Sequence, residues 1–128
     1  MFRAILEGIA MHKRWMLEGF RKSRIPVTEP VRFVGGGASS ALWCQIMADV
    51  LQKQIQPAKY AKDSGAIGAA IIAAVGLNAI TFKDAKALIP VQDVVQPRKE
   101  FAPVYDKLYA VFRKYYDKNK DFYKQLNG

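Results

Sequence analysis

Apolar residues recur at helical spacing over residues 2–22. Phe2, Ile5, Ile9, His12, Met16 and Phe20 share one side, and Arg3, Glu7, Lys13, Arg14, Glu18 and Arg21 fall elsewhere, which predicts an amphipathic helix with the first set inward. No Ser, Thr, Asp or Asn precedes it as a cap, the pattern expected of a chain cut from something longer. Pro26 and Pro30 make residues 23–30 a loop. Val31-Arg32-Phe33-Val34 reads as a short strand that ends in Gly35-Gly36-Gly37. Residues 38–52 read as the next helix, apolar at Leu42, Ile46, Ala48, Val50 and Leu51, with Ser39 or Ser40 as its cap. Gln54-Ile55-Gln56-Pro57 follows as a second strand, then a loop at 59–63.

Gly65 to Leu77 holds thirteen residues without a charge. Spanning a bilayer takes about 20, so this run predicts a buried helix whose Gly65, Gly68, Ala69, Ala70, Ala73 and Ala74 let another backbone approach. Thr81 caps a short helix to Leu88, Val91–Gln96 is extended, and residues 98–126 form a long closing helix. Its apolar stripe is read as Phe101, Tyr105, Leu108, Phe112, Tyr115, Phe122 and Leu126, with Tyr109, Tyr116 and Tyr123 beside it. The order helix–strand–helix–strand–helix predicts a β-α-β unit with two parallel strands. Two strands make a poor sheet, so further strands are expected from outside the chain or from a second copy.

The 128 residues suffice for one domain or part of one, and the 51% hydrophobic and 24% charged fractions exclude disorder. One cysteine, Cys44, and one histidine, His12, exclude a disulfide framework and a Cys/His zinc site. Charges through residues 1–23 argue against a signal peptide, and the cytoplasm is the expected compartment. Twenty Lys and Arg against eleven Asp and Glu give a net charge of +9, much of it in the last thirty residues. That surplus reads first as the solvated face of the closing helix. The same aromatic-basic tail supports an alternative reading, a small basic helical module for nucleic acid or another acidic partner. Its aromatics follow the helical stripe, which favours docking of the helix over base stacking.

The stretch with most chemical content is Phe33-Val34-Gly35-Gly36-Gly37-Ala38-Ser39-Ser40. A strand running through glycines into a helix presents bare amides and a positive helix terminus to a phosphate or a ribose. Glycines there also serve close packing, and the motif alone leaves both readings open. It is no Walker loop, since no Lys-Ser or Lys-Thr follows, and it lacks the third glycine of a dinucleotide fingerprint. No nucleophile elbow, Cys/His pair or acid cluster stands in the sequence, so neither a catalytic residue nor a metal ligand is assigned. His12 reads as a packed core histidine, Cys44 as a small hydrophobe, and Asp49 as a buried ion-pair partner, for example to Arg3.

Three blocks together resemble one family, the FGGY carbohydrate kinases. Met1-Phe2-Arg3-Ala4-Ile5-Leu6-Glu7-Gly8-Ile9-Ala10 is similar to the family's Arg-Ala-x-x-Glu-Gly helix. Gly35-Gly36-Gly37-Ala38 with Ser40, Trp43, Gln45-Ile46 and Ala48-Asp49-Val50 resembles its Gly-Gly-Gly-Ala-Lys-Ser…Trp…Gln-Ile…Ala-Asp-Val block. Gly68-Ala69-Ala70 with Ala73-Ala74 and Gly76 matches its Gly-Ala-Ala helix, and xylulokinase-like members fit best. Ser39 departs from the pattern, standing where the family often has Lys.

The resemblance implies an α/β fold, part of an actin-like (ribonuclease H-like) ATPase domain with few parallel strands and dominant helices. Residues 1–128 would be the C-terminal portion of the second, nucleotide-binding domain of a kinase that moves the γ-phosphoryl group of ATP to a xylulose-like sugar. Gly35, Gly36, Gly37 and Ala38 would contact ATP or ADP, with Ser40 near the adenine and Glu7 at the nucleoside end. The sugar site, the catalytic base and most of the hold on Mg²⁺ would lie in parts absent from the chain, which is therefore expected to be inactive alone. A homodimer is expected to cover what those parts leave open, with no membrane partner.

Overall fold

Val31–Phe33 (β1) and Ile55–Pro57 (β2) pair in parallel, Val31 opposite Ile55, Arg32 opposite Gln56 and Phe33 opposite Pro57. This computed structural model describes residues 1–127. Between the strands run a 3₁₀ turn, Gly36–Ser39, and a helix, Ala41–Leu51 (α2), so the predicted strand–helix–strand crossover is present. A helix Phe2–Lys22 (α1) precedes β1. After β2 come the 3₁₀ turn Ala61–Asp63, the helices Ser64–Gly76 (α3) and Phe82–Leu88 (α4), the 3₁₀ turn Lys99–Phe101 and the long helix Ala102–Asn127 (α5).

The core lies where α1, α2 and α5 meet the sheet. Leu6, Ala10, Met11, Ile46, Met47, Val50, Leu51, Ile55, Tyr105 and Tyr109 are buried together there. α2 is the central element because Ile46, Ala48 and Val50 lose all contact with solvent. Ser40 caps it, its hydroxyl accepting from the Trp43 amide at 3.3 Å. Thr81 and Asp84 form a reciprocal capping box at the start of α4.

Four expectations need correction. α1 turns the opposite face inward: Leu6, Ala10 and Met11 are buried, while Phe2, Ile5, Ile9, Met16 and Phe20 are exposed. Both faces are apolar, and α2 and α5 cover only one. His12 is exposed with the outer face and is no core histidine. α3 is not a buried helix within this chain, since none of its residues is buried and Ile72 is 66% exposed. On α5 the packed stripe is Tyr105, Tyr109 and Phe112, set against Trp15 and the core, and Tyr116, though exposed, meets the Trp15 ring edge-on at 4.8 Å. Leu108, Tyr115, Phe122 and Leu126 are exposed.

The sheet is also less open than its two strands imply. Residues 91–95 run antiparallel along the outer edge of β2, bridging Ile55 to Val95 and Ala58 to Val91. Ile55 and Val95 exchange both backbone hydrogen bonds, at 3.0 and 2.8 Å. Only the β1 edge lacks a neighbouring strand among the described residues. An apolar groove of about 290 Å³ flanks it, lined by Met16, Phe20, Val31 and Phe33 among others.

Candidate functional site

The glycine turn is assembled from three positions with three different physical reasons. Gly35 has φ 85° and ψ 177°, a conformation open in practice to glycine alone, and its amide donates to the Ala61 carbonyl at 2.9 Å. Gly37 lies under the indole of Trp43. A Cβ built there would sit 2.3 Å from Trp43 Cζ3 and 2.5 Å from Cε3. Gly36 has neither constraint, because a Cβ there would meet nothing within 4 Å. Packing therefore accounts for Gly37 and backbone geometry for Gly35, while the chain itself gives no reason for Gly36.

Ala38 is buried, its carbonyl facing the Cys44 thiol at 3.5 Å. Burial pushes the Cys44 thiol above its ordinary range, consistent with an inert small side chain. Ser39 is exposed, and Ser40 is exposed while capping α2. The first amides of the 3₁₀ turn and of α2 thus gather at the C-terminal end of β1, where the positive end of the helix dipole also points.

A cleft of about 770 Å³ opens beside this turn. Ala38, Ser39, Cys44 and Gln45 form one side, Pro57 and Lys59 the floor, and Gln92 and Asp93 belong to the facing extended segment. That facing wall is anchored from behind by Asp49. The carboxylate has no exposed surface and accepts from the Arg98 amide at 2.8 Å, Arg98 Nε at 3.0 Å, Arg98 Nη2 at 2.6 Å and Gln45 Nε2 at 2.9 Å. Gln45 Nε2 also donates to the Gln96 carbonyl at 3.0 Å. Asp49 is thus a buried ion-pair partner as read from the sequence, but to Arg98, across 49 residues, and not to Arg3.

Glu7 does not line this cleft. Its carboxylate accepts from Arg3 Nε and from the Tyr105 hydroxyl, both at 2.9 Å, and Arg3 Nη2 donates to the same hydroxyl at 3.1 Å. The three groups brace α1 against α5. No cluster of three or more His, Cys, Asp or Glu able to hold a metal ion stands among the described residues. None of the described helices is long and apolar enough to cross a membrane. The Asp49–Arg98 anchor and the Lys59 and Asp93 lining escaped the sequence reading, since no local spacing links residues so far apart.

A parallel strand pair joined through a glycine turn and a buried helix, with long helices packed around it, is the α/β class of the actin-like kinases. Residues 1–77 match the FGGY family of carbohydrate kinases, C-terminal domain, and the chain belongs to that family. It is 31% identical to a xylulose kinase of Staphylococcus epidermidis over 120 residues, 92% of this chain and 24% of that one. It is likewise 31% identical to an autoinducer-2 kinase of Photorhabdus laumondii, over 84% of this chain and 20% of the relative. The crystal structure of xylulose kinase from Rhodospirillum rubrum superposes with a TM-score of 0.76 at 31% identity, over 95% of this chain and 25% of that one. The chain thus spans about a quarter of the length of the relatives it matches.

Proposed function

We infer that this chain is the C-terminal portion of the nucleotide-binding domain of an ATP-dependent carbohydrate kinase acting on a xylulose-like sugar. The observation that carries the nucleotide reading is Gly36, a glycine with open space where a Cβ would stand, in a turn ahead of a helix N-terminus whose Ala38 and Ser39 line a large cleft. In this reading the backbone of Gly35, Gly36, Gly37 and Ala38 meets the α-phosphate and ribose, with the amides of Gly36 and Gly37 as the donors, since those of Gly35 and Ala38 already donate to the Ala61 and Gly35 carbonyls, and Ser40 stands near the adenine. An anion placed there gains from the helix dipole and from amides that have no intrahelical partner. When bound, ATP supplies the phosphoryl group. This chain's residues hold and orient its adenosine side, and Glu7 serves the site only through the brace with Arg3 and Tyr105.

The described residues do not suit Mg²⁺, since Asp49 is already held by Arg98 and Gln45. The metal, the sugar and the catalytic base belong, in this proposal, to the remaining parts of a whole kinase. Phosphoryl transfer needs both substrates aligned, so the 128 residues alone are inactive. ATP-dependent phosphorylation of a sugar by a pure sample would overturn that statement. A homodimer covers the β1 edge and the outer face of α1. A single concentration-independent species of 14.4 kDa in sedimentation would refute the dimer.

The test of the nucleotide site is calorimetric titration with ADP, comparing the native sequence with Gly36→Val. A Cβ at this position meets nothing within 4 Å, so the variant is expected to melt as the native chain does and to lose ADP affinity. Unchanged affinity would place the nucleotide elsewhere.

A further inference from the structure

The cleft beside the glycine turn carries three polar side chains that the fold does not use. Gln45 is engaged by Asp49 and the Gln96 carbonyl, and Gln92 by the Ala58 carbonyl. The Lys59 ammonium, the Asp93 carboxylate and the Ser39 hydroxyl line the same cleft with no hydrogen bond or ion pair to any described residue. The one contact of the ammonium is a distant approach to the Tyr60 ring, 5.9 Å from its centroid. Opposite charges share one cleft here without neutralising each other.

Their backbones, by contrast, are held on both banks. Lys59 donates its amide to the Pro90 carbonyl at 3.0 Å, and the Gln92 amide donates to the Pro57 carbonyl at 2.9 Å. The bridge between Ala58 and Val91 lies between these two bonds, so Lys59 and Asp93 each stand within two residues of a fixed point. A ligand entering the cleft meets one cation, one carboxylate and one hydroxyl, the first two carried on backbone that is held on both sides. That combination suits a molecule that carries both an anionic group and free hydroxyls. A purely anionic ligand would face repulsion from Asp93, and a neutral diol would leave Lys59 without a partner.

We propose that Lys59 and Asp93 bind a nucleoside diphosphate moiety in this cleft, Lys59 donating to a phosphate oxygen and Asp93 accepting from the ribose hydroxyls. The assignment rests on the nucleotide reading above and deepens it. It also gives the departure at Ser39 a physical meaning. Ser39, where the family pattern often has Lys, brings no charge to the cleft, and in this assignment Lys59 supplies a cation from the segment after β2.

The experiment is calorimetric titration of the full chain with ADP and with adenosine, at low and high salt. Lys59→Ala is expected to weaken ADP on the order of tenfold or more, the loss of one charge-assisted hydrogen bond, and to leave adenosine within about twofold. Asp93→Asn is expected to weaken ADP and adenosine alike. Adding Ser39→Lys to Lys59→Ala is expected to restore ADP binding, because it returns a cation to the cleft. All three positions are exposed, and matching melting curves would show that the fold is intact. If the native chain binds ADP and both single variants bind it equally well, this assignment is overturned while the nucleotide site stands. An equal loss of ADP and adenosine in Lys59→Ala overturns the phosphate contact. A folded native chain that binds neither compound overturns the nucleotide reading, and this one with it.

Discussion

Replacing each glycine of the turn by alanine should give three different results, because the three glycines are present for three different reasons. Gly37→Ala drives a methyl group to 2.3 Å from Trp43 Cζ3, where ordinary contact begins near 3.4 Å. The indole would have to retreat by about 1 Å. It cannot do so freely, since its ring meets Phe33 edge-on at 6.0 Å and packs against the core. Overpacking of this kind costs about 1–3 kcal/mol. At roughly 4 °C per kcal/mol for a domain of this size, the melting temperature falls by about 4–12 °C. Gly35→Ala places a Cβ at φ 85° and costs about 1–3 kcal/mol with no clash at all. Gly36→Ala changes stability by no more than about 0.5 kcal/mol. The assay is urea unfolding followed by tryptophan fluorescence, with constant slope as the check that only stability has changed. The mechanism at Gly37 has its own control. Trp43→Phe removes the atoms that clash and sacrifices no hydrogen bond, since Trp43 Nε1 is buried without a partner. Gly37→Ala in the Trp43→Phe background should therefore cost much less than in the native chain, a coupling that a double-mutant cycle measures directly. Additive losses, or a Gly37→Ala variant as stable as the native chain, would refute the packing argument.

Other expectations follow from single groups. Asp49→Ala removes the acceptor of four hydrogen bonds and should cost about 1–3 kcal/mol in urea unfolding, with Arg98 left free to reach solvent. Burial, and then the hydrogen bond to Glu7, hold the Tyr105 hydroxyl above its ordinary value of 10.0, against the opposing pull of Arg3. The folded state therefore favours the neutral phenol, and that contribution is complete below the ordinary value and lost as pH rises through the folded one. Unfolding midpoints from about pH 9 to 11 should fall, and Tyr105→Phe should flatten the slope, leaving the share of Tyr109, which burial also raises. Cys44, 2% exposed and with its thiol shifted upward by burial, should resist alkylation until the chain unfolds. Rapid native-state labelling at neutral pH would contradict its placement behind Ala38.

Local patterns were legible where one residue type has one use. The proline-bounded loop, the short parallel strands, the Ser40 and Thr81 caps and the glycine turn all stand where the sequence places them. Periodicity failed on α1 for a specific reason. The helix is apolar on two sides, and no count of spacings says which side meets α2 and α5. On α5 the same ambiguity arises from an aromatic at nearly every third or fourth position. Tyr105 and Tyr109 are selected because their hydroxyls find Glu7 and Arg113, whereas Leu108 and Tyr115 have no such seat. Asp49 and Arg98, and the antiparallel run of 91–95 on β2, are pairings across tens of residues that only the folded topology creates.

The glycine turn shows where the fold's own demands stop. Trp43 fixes Gly37, the left-handed backbone fixes Gly35, and the Ala61 carbonyl ties the turn to the segment after β2. Those contacts hold Gly35 and Gly37 on either side of Gly36, in the turn that leads into α2. Gly36 then adds access, the one property that packing does not require. On the far bank, Asp49 does for the 91–98 segment what Trp43 does for the turn, using Arg98 and Gln45 to seat it from behind. Trp43, Asp49 and Arg98 hold the walls without lining the cleft; of the polar side chains that line it, Gln45 and Gln92 are bonded to the fold, and Lys59, Asp93 and Ser39 are not. Supporting and contacting roles are divided between different side chains. The variants at Gly36, Lys59 and Asp93 therefore test the proposed ligand contacts, while those at Gly37, Trp43 and Asp49 test stability.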